Sequence, residues 1–455
     1  MGITGSFRPK RSGRRLAESG IKRRMIKKIK SVIKKFVDYT IEDDMRVYRL
    51  KHTPVRLKKP LTKAFLQKYG SLAVEPYKIV CDNYMGSGYG CNGKYVTEIL
   101  LKSETPYDIV WAVKEKEKHA ADFPERVRIV EYGTEEAMYE YATAAVWLCN
   151  YHLIYYFNRG LVKKPGQSDI QMWHGSFGIK KIENDCGILN SVKSWTALAK
   201  KNAAETDYWI SNSGFETGVY RSAFWGAGNI LEYGHPRNDI FFDGDRPDIR
   251  ASVNGALGIS DSAKLCLYVP TFREKGEPQT GKIDVANVLA GFKARGEGDW
   301  SFAVRFHPRM KDSERSFFLE RWDGIVNATD YPDIQELLFR ADAVITDYSS
   351  CVFDFLLGKK MAFLYVPDRA AYLDERGFYY PLEESPFPIA ESNEDLFLQI
   401  KNFDRKSYGK RKDAFLAQKQ SKEDGRAALR VAALIERILL ERCGRTKEEA
   451  AQNHA

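Results

Sequence analysis

The chain is poor in the features that mark several protein classes. Its seven cysteines are scattered over 455 residues without a C-x-x-C pair, so we expect a reduced compartment and neither a disulfide scaffold nor a zinc ribbon. No stretch reaches the ~18 consecutive apolar residues of a membrane span, and the N-terminus lacks the apolar core of a signal peptide. The seven histidines show no H-x-x-x-H or H-x-x-E-H spacing, which argues against zinc hydrolysis.

The remaining composition is that of an ordinary globular protein. Hydrophobic residues make up 44% and charged residues 29%, which excludes a disordered or collagen-like chain. At ~100–200 residues per domain, the length predicts two to four domains. The net charge of +10 is concentrated at one end: residues 1–36 hold thirteen Lys or Arg and one acid, Glu18, whereas the other 419 residues hold 58 bases and 60 acids.

Residues 21–36 have the pattern of a basic amphipathic helix. Ile21, Met25, Ile29 and Phe36 recur at helical spacing with lysines and arginines mostly between them. Such a helix lies in the headgroup region of an anionic membrane. A solvated helix packed on its own domain is the alternative, and nucleic-acid binding is disfavoured because the segment has one aromatic residue and no recognisable fold around it.

From residue 77 onward, apolar runs alternate with helical patterns. This alternation predicts an α/β fold in which parallel sheets carry helices on both faces. Two such series predict two doubly wound domains with a cleft between them. We assign residues 1–70 to a basic membrane-associating arm, 71–205 to an acceptor-side domain, 206–405 to a donor-binding domain, and 406–455 to a C-terminal helix that packs across the body. The predicted strands are Tyr77–Cys81, Asp108–Val113, Val127–Glu131, Val146–Cys149 and Asp169–Trp173, followed by Asp207–Ser211, Lys264–Val269, Ser301–Phe306, Ala343–Thr346 and Met361–Tyr365.

Groups with acid–base or anion-binding chemistry follow several predicted strands. His174, His235 and His307 each stand beside Gly or Pro at a strand end, where they suit proton transfer near pH 7 or a buried structural hydrogen bond. The run from Thr346 to Ser350 precedes a predicted helix, so its serines serve either as a helix cap or as a phosphate site. No Walker motif is present. Arginines that could pair with a diphosphate also gather at strand ends: Arg237, Arg273, Arg305 and Arg309.

Seven short blocks in order resemble the CDP-glycerol glycerophosphotransferase family, whose members include polymerases and primases of teichoic acids and related capsules. The resemblance covers roughly residues 92–438. The blocks are Asn92-Gly-Lys-Tyr95; Gln171-Met-Trp-His-Gly175 with Lys180-Lys181; Gly234-His-Pro-Arg-Asn-Asp239; Tyr268-Val-Pro-Thr-Phe-Arg273; Arg305-Phe-His-Pro308; Thr346-Asp-Tyr-Ser-Ser350 with Phe353-Asp-Phe355; and Arg376-Gly-Phe-Tyr379.

The resemblance implies a GT-B-like fold of two facing Rossmann-like domains. It also implies transfer of glycerol phosphate or ribitol phosphate from a CDP-alditol to a hydroxyl, with release of CMP, at the cytoplasmic membrane face. The acceptor would be a polyol phosphate, a lipid-linked molecule or a polysaccharide, in teichoic acid or capsule synthesis. His174 and His307 are the expected catalytic residues. The expected donor-binding residues are Gly175, Arg237, Asn238, Asp239, Thr271, Arg273, Arg305, Asp347, Ser349 and Ser350.

Several positions depart from the family pattern, and they leave the subfamily, the alditol and the acceptor open. Ser176–Ile179 replaces the usual residues after W-H-G, His235 replaces a tyrosine, and Tyr380-Pro381 follows the last block. We expect no protein-held metal, although Mg²⁺ bound with the donor diphosphate fits the chemistry. A GT-B glycosyltransferase that uses a nucleotide sugar is the alternative enzyme, and a catalytically idle membrane-surface protein is the alternative class.

Overall fold

The computed structural model describes residues 59–186, 193–273, 282–307, 310–358 and 360–452. The predicted helix over 21–36 and Arg309 therefore lie outside the described residues. Within these ranges the chain forms two parallel sheets, one of seven strands and one of six. The predicted fold class is confirmed. No helix in the described ranges is both long and apolar enough to cross a bilayer.

The first sheet has the strand order β3-β2-β1-β4-β5-β6-β7, and all its pairs are parallel. Its central strands are almost wholly buried, because their near-continuous apolar runs suit a sheet that is covered on both faces. The strands are β1 (Glu75–Asp82), β2 (Asp108–Val113), β3 (Arg128–Glu131), β4 (Ala144–Cys149), β5 (Ser168–Gln171), β6 (Tyr208–Ser211) and β7 (Ile230–Glu232).

The second sheet has the order β10-β9-β8-β11-β12-β13 and is also parallel throughout. Each sheet reverses its strand order once, between β1 and β4 in the first and between β8 and β11 in the second. Such reversals are where open α/β sheets bind ligands. The strands are β8 (Lys264–Val269), β9 (Trp300–Val304), β10 (Val326–Asn327), β11 (Ala343–Thr346), β12 (Met361–Tyr365) and β13 (Ile389–Ala390).

Helices connect and cover the strands. Many begin at a capping side chain, as at Thr134, Ser213 and Ser392. The α-helices are α1 (Lys59–Tyr69), α2 (Cys91–Leu100), α3 (Lys116–His119), α4 (Glu135–Thr143), α5 (Ile154–Asn158), α6 (Lys193–Glu205), α7 (Gly214–Ala223), α8 (Pro247–Leu257), α9 (Val285–Lys293), α10 (Asp312–Arg321), α11 (Ile334–Arg340), α12 (Cys351–Leu356), α13 (Arg369–Arg376), α14 (Asn393–Lys401), α15 (Arg405–Gln418) and α16 (Ala427–Gln452). Short 3₁₀ turns form at Ala120–Asp122, Glu183–Asp185, Pro236–Phe242 and Leu382–Glu384.

The predicted domain boundary at 205/206 is wrong, because it does not separate the two sheets. Strands β6 and β7 complete the first sheet, and the second sheet begins only at β8. An apolar run shows that a strand is buried, but it does not show which sheet the strand joins. The 3₁₀ turn Pro236–Phe242 and helix α8 follow the last strand of the first sheet and lead into the second domain.

The C-terminal tail, predicted as a helix within residues 406–455, is two helices that pack on different domains. Phe415 of α15 lies in the core of the second domain, whereas Val431 and Ile435 of α16 pack with Ile79 of the first sheet. Gly425, in the loop between the two helices, has a φ of +79°, a conformation that glycine adopts without steric cost. The chain thus returns to the first domain and ties the two domains together.

Candidate active site

A cavity of about 530 Å³ lies between the two domains. It is bordered by loops that follow β1, β4 and β5 in the first sheet and β8, β9 and β11 in the second. The two strand-order reversals therefore face one shared space. Nine of the twelve predicted site residues line it: His174, Gly175, Arg237, Thr271, Arg273, Arg305, His307, Ser349 and Ser350.

His174 is held as a neutral base by a buried turn after β5. Its Nδ1 lies 2.9 Å from the carbonyl oxygen of Asn150, and because a carbonyl only accepts, Nδ1 carries the hydrogen and Nε2 keeps its lone pair. Burial, together with the nearby charge of Arg237, lowers the pKa of His174 to about 4. The imidazole is consequently uncharged near pH 7 and able to accept a proton.

The turn that presents His174 is fixed by side-chain amides. Asn92 Nδ2 donates to the carbonyl oxygens of Met172 (3.2 Å) and Trp173 (3.0 Å), and Gln171 Oε1 accepts from the Trp173 N–H at 2.9 Å. Trp173 has a φ of +45°. Four more residues on the cavity wall have positive φ although none is glycine: Tyr84, Cys91, Phe177 and Glu183. Such conformations cost ~1–3 kcal/mol each and cluster at functional sites.

His307 enters the cavity from the second domain, after β9. Its ring stacks on Phe272 with centroids 5.9 Å apart and planes at 27°, and its carbonyl oxygen accepts from Arg315 Nη2 at 3.3 Å. The structure thus brings the two predicted catalytic histidines to one cavity from opposite domains.

The serines after β11 line the cavity but do not cap helix α12 with their side chains. Ser350 has helical backbone angles, φ −67° and ψ −15°, and makes no capping hydrogen bond. Ser349 Oγ donates to Cys351 Sγ at 3.2 Å. The predicted capping role is therefore wrong.

Asp347 supports the cavity wall from behind. It is buried outside the cavity lining, and it accepts hydrogen bonds from the Thr271 N–H and hydroxyl and from Arg273 Nη2. Arg273 also pairs with Asp368 at 2.7 Å. Two carboxylates therefore offset its single positive charge. The structure thus places Asp347, a predicted donor-binding residue, behind Thr271 and Arg273 and not in the cavity wall.

Arg305 has a different environment. Burial lowers the pKa of its guanidinium, and its Nη1 donates to the carbonyl oxygens of Ala328 and Tyr331. These neutral partners leave its net positive charge in place at the cavity, where a diphosphate would meet it.

The block from Gly234 to Asp239 braces the domains and contributes only Arg237 to the cavity. Arg237 is 2% exposed. Its Nε and Nη2 donate to Asp354 at 3.0 and 3.3 Å, and Nη2 also donates to the Gly175 carbonyl at 2.7 Å. The guanidinium thus joins the turn of His174 in the first domain to helix α12 in the second, with most of its donors already bonded to protein.

Asn238 and Asp239, which are predicted donor-binding residues, lie outside the cavity lining. Asn238 Nδ2 donates to Glu423 at 2.7 Å, and Asp239 accepts from the N–H groups of Ala427 and Ala428 at the start of α16. His235 is likewise structural: its Nε2 lies 2.6 Å from Glu216 Oε2 in a buried pair.

The Asn92–Tyr95 block joins helix α2 to the second domain. Lys94 Nζ pairs with Asp333 at 3.0 Å and with Glu336, and Tyr95 Oη donates to Asp333 at 2.9 Å. Gly93 permits close packing of the helix on the sheet, since a Cβ there would lie 2.9 Å from the Trp111 ring. The resemblance pointed to this block, but its interdomain contacts emerge only in the fold.

One wall of the cavity is aromatic, and its residues are not among those predicted from the sequence. Tyr84 follows β1, Tyr151 follows β4 and Trp195 lies near the start of α6, and all three line the cavity. The two tyrosines stand at strand ends, the same signal that singled out the histidines. Their position at strand ends does not by itself predict a functional role, because tyrosine side chains carry no acid–base chemistry near pH 7. Among the described residues, no group of three or more His, Cys, Asp or Glu is arranged to hold a metal ion.

Sequence and structure comparisons now identify the family. The family model for CDP-glycerol:poly(glycerophosphate) glycerophosphotransferase matches residues 65–437. This chain belongs to that family. The resemblance drawn from the seven blocks is thereby confirmed.

Relatives within the family differ in length. The chain is 30% identical over 361 residues to the teichoic acid poly(glycerol phosphate) polymerase of Bacillus spizizenii, covering 74% of this chain and 89% of the relative. It is 29% identical over 385 residues to the polymerase of the same name from Staphylococcus epidermidis, covering 81% of this chain and 52% of the relative. The chain thus spans about half the length of some family members. Solved structures of the wall teichoic acid polymerase TagF match 90% of this chain and 98% of their own, with a TM-score of 0.72 and 26% identity.

Proposed function

We propose that this family member transfers an alditol phosphate, glycerol phosphate or ribitol phosphate, from a CDP-alditol to an acceptor hydroxyl and releases CMP. The supporting observation is the composition of the cavity. A neutral imidazole with a free Nε2 lines it from the first domain, and hydroxyls, His307 and a positively charged Arg305 line it from the second. Teichoic acid poly(glycerol phosphate) polymerases and a teichoic acid ribitol-phosphate primase are among the relatives, so the acceptor is proposed to be a teichoic acid precursor.

The proposed reaction is an in-line displacement at the β-phosphorus of the donor. The acceptor oxygen forms the new P–O bond, its proton passes to His174 Nε2, and the bond to CMP breaks. Because phosphoryl-type transfer needs mainly positioning and charge stabilisation, Arg305 and His307 would stabilise the diphosphate and the departing CMP. The hydroxyls of Ser349, Ser350 and Thr271 would orient the oxygens of the donor diphosphate. Mg²⁺ bound with the donor diphosphate remains a prediction, and dependence of the rate on EDTA tests it.

The donor is tested by a panel of nucleotide substrates. CDP-glycerol, CDP-ribitol and several nucleotide sugars are offered with a lipid-linked or polyol phosphate acceptor, and nucleotide release is measured. We expect CMP from one or both CDP-alditols. Release of a nucleoside diphosphate from a nucleotide sugar, with no CMP from either alditol, would instead establish a glycosyltransferase.

We further propose that the protein works at the cytoplasmic face of the membrane. The supporting observation is the sequence of residues 21–36, whose apolar positions alternate with lysines and arginines and would bind anionic lipid. A membrane location would place the enzyme beside a lipid-linked acceptor. Vesicle binding of a truncated protein tests this, as described in the Discussion.

A further inference from the structure

The loops after β1 and β4 form the first-sheet end of the shared cavity, which we call the crevice. Asn150 Nδ2 donates to Asn83 Oδ1 at 2.9 Å, and the Tyr84 N–H donates to Asn150 Oδ1 at 2.7 Å. These bonds hold the two loops together at the point where the strand order reverses. Ligands of open α/β sheets bind at this point, and nothing in the proposed donor chemistry uses it.

The crevice is walled by three half-buried aromatic side chains next to His174. The ring centroids of Tyr84 and Tyr151 are 4.7 Å apart, and those of Tyr151 and Trp195 are 6.3 Å apart. The His174 ring lies 4.9 Å from Tyr84 and 5.4 Å from Tyr151. The wall is thus continuous with the proposed base. Its three residues belong to the first domain, whereas the second domain contributes the hydroxyls of Thr271, Ser349 and Ser350 to the same cavity.

The position of the aromatic wall beside His174 indicates which of the two substrates it contacts. A general base must lie within hydrogen-bond reach of the hydroxyl that it deprotonates, so the groups around His174 on the first-domain side border the acceptor. The donor diphosphate lies toward Arg305 and the serines. Aromatic faces are electron-rich and attract the partly positive C–H groups of a flat, partly apolar partner. A sugar ring offers such a face, whereas a polyol phosphate chain is anionic and flexible.

Resting on the proposed function, we propose that Tyr84, Tyr151 and Trp195 form a subsite for a sugar ring of the acceptor, adjacent to the hydroxyl that reacts. Glu183 lies beside Trp195: it is buried, lines the cavity, accepts from Trp195 Nε1 at 3.2 Å and lies 3.2 Å from His152 Nε2. Its carboxyl would repel phosphate and can accept hydrogen bonds from sugar hydroxyls. Lys180 and Lys181 also line the cavity and would favour a phosphate chain, so both acceptor types are compared directly.

The test measures acceptor KM for Tyr84→Leu and Trp195→Leu with CDP-glycerol as donor. The acceptors are a soluble alkyl disaccharide glycoside and a short glycerol phosphate oligomer. Each variant should raise KM for the glycoside about 5- to 10-fold, the effect expected for one lost ring contact. Donor KM and KM for the oligomer should rise far less than KM for the glycoside. Tyr84→Phe should behave as wild type because it keeps the ring. Phe317→Leu, at an exposed position outside the cavity, is the matched control.

Three results would overturn the subsite. The first is an equal rise in KM for the oligomer, and the second is an equal rise in donor KM, which would place the cytosine on these rings. The third is an unchanged KM for the glycoside in folded variants. If the variants do not fold, saturation-transfer NMR of the glycoside on the wild type decides: the sugar C–H protons should receive saturation, and its absence contradicts the proposal. A wild type that releases no CMP from any CDP-alditol would refute the proposed function instead.

Discussion

At the scale of single residues, His174 carries the proposed chemistry. A general base contributes ~10²–10⁴-fold to rate, so His174→Ala should lower kcat by about that factor. Donor binding should change little. The melting temperature should fall modestly, because the variant loses the hydrogen bond to the Asn150 carbonyl and the ring contacts with Tyr84 and Tyr151. Turnover at matched folded fraction is the measurement, and a wild-type rate for this variant would remove His174 from the mechanism.

His235 supplies the contrast within the same protein. It is fully buried against Glu216 and lies outside the cavity lining. His235→Ala should therefore lower the melting temperature, since the buried Glu216 carboxylate loses its imidazole partner and keeps the hydrogen bond from the Asn212 N–H. The rate per folded molecule should be far less affected than in His174→Ala. Thermal melts of both variants, followed by assays below the lower transition, separate the two roles.

The pH dependence follows from the environment of His174. Its pKa is lowered to about 4 by burial, and the neutral form is the active one, so kcat/KM should stay level from pH 8 to about 5 and fall near pH 4. An ordinary histidine would give a limb near pH ~6.5. The unfolded chain binds a proton at this imidazole below pH ~6.5, whereas the folded chain binds it only near pH 4. Protonation therefore favours the unfolded chain, and the free energy of unfolding falls as the pH drops through that window. A pH–rate profile with parallel melts checks both effects, and an acidic limb near 6.5 contradicts the assignment.

Substitution of the two serines after β11 tests where the donor diphosphate binds in the cavity. Ser349→Ala combined with Ser350→Ala removes two hydroxyls from the cavity wall and leaves the backbone N–H groups in place. Each lost hydrogen bond to a charged group is worth ~1.5–3 kcal/mol, so donor KM should rise at least about 10-fold while acceptor KM stays level. An unchanged donor KM would move the diphosphate elsewhere in the cavity.

At the scale of elements, the sequence locates the functional strand ends better than it identifies what each residue does there. Nine of the twelve predicted site residues line the cavity, because parallel strands present their carboxyl ends on one edge. Asn238, Asp239 and Asp347 are polar at the same edge, but they satisfy partners that fold onto them from far along the chain. Asp239 accepts a hydrogen bond from the start of α16, which lies about 190 residues later in the chain. Such a partner leaves no local pattern in the sequence.

Helix α2 yields a prediction at this scale. Lys94→Met leaves Asp333 and Glu336 in the domain interface without their cation, and breaking a buried ion pair costs ~3–5 kcal/mol. Denaturant unfolding should show a loss of that size. Lys264→Met is the control, because Lys264 pairs with Glu297 nearer the surface, where a pair is worth ~0–1 kcal/mol. Equal losses in the two variants would contradict a special role for the Asn92–Tyr95 block.

At the scale of the whole molecule, strand–helix alternation was sufficient to predict two facing parallel-sheet domains. The boundary at 205/206 was wrong because sheet membership depends on how a strand packs in space. The tail is predicted to pack across the body, but its division into α15 and α16 is not predicted. The aromatic wall around His174 also depends on the assembled fold, since Tyr84, Tyr151 and Trp195 are more than 40 residues apart in sequence and meet only at the strand ends.

The basic N-terminal segment makes a prediction that concerns the whole chain. Removing residues 1–36 takes away thirteen Lys or Arg and one acid. Binding of the truncated protein to anionic vesicles should be lost, and binding of the full chain should weaken as salt rises, because salt screens attraction to lipid headgroups. Activity on a soluble acceptor should survive. Vesicle flotation checks this, and full-strength binding of the truncated protein would place the membrane contact elsewhere.

The most direct test of the proposed transfer is the mass of the acceptor after reaction. Wild-type protein and His174→Ala are incubated with CDP-glycerol or CDP-ribitol and an acceptor of known mass, and the product is measured by mass spectrometry. The proposal predicts an acceptor heavier by one or more whole alditol phosphate units, with one CMP formed per unit, and little or no product from the variant. An unchanged acceptor, or one that gains a sugar from a nucleotide sugar, would contradict it.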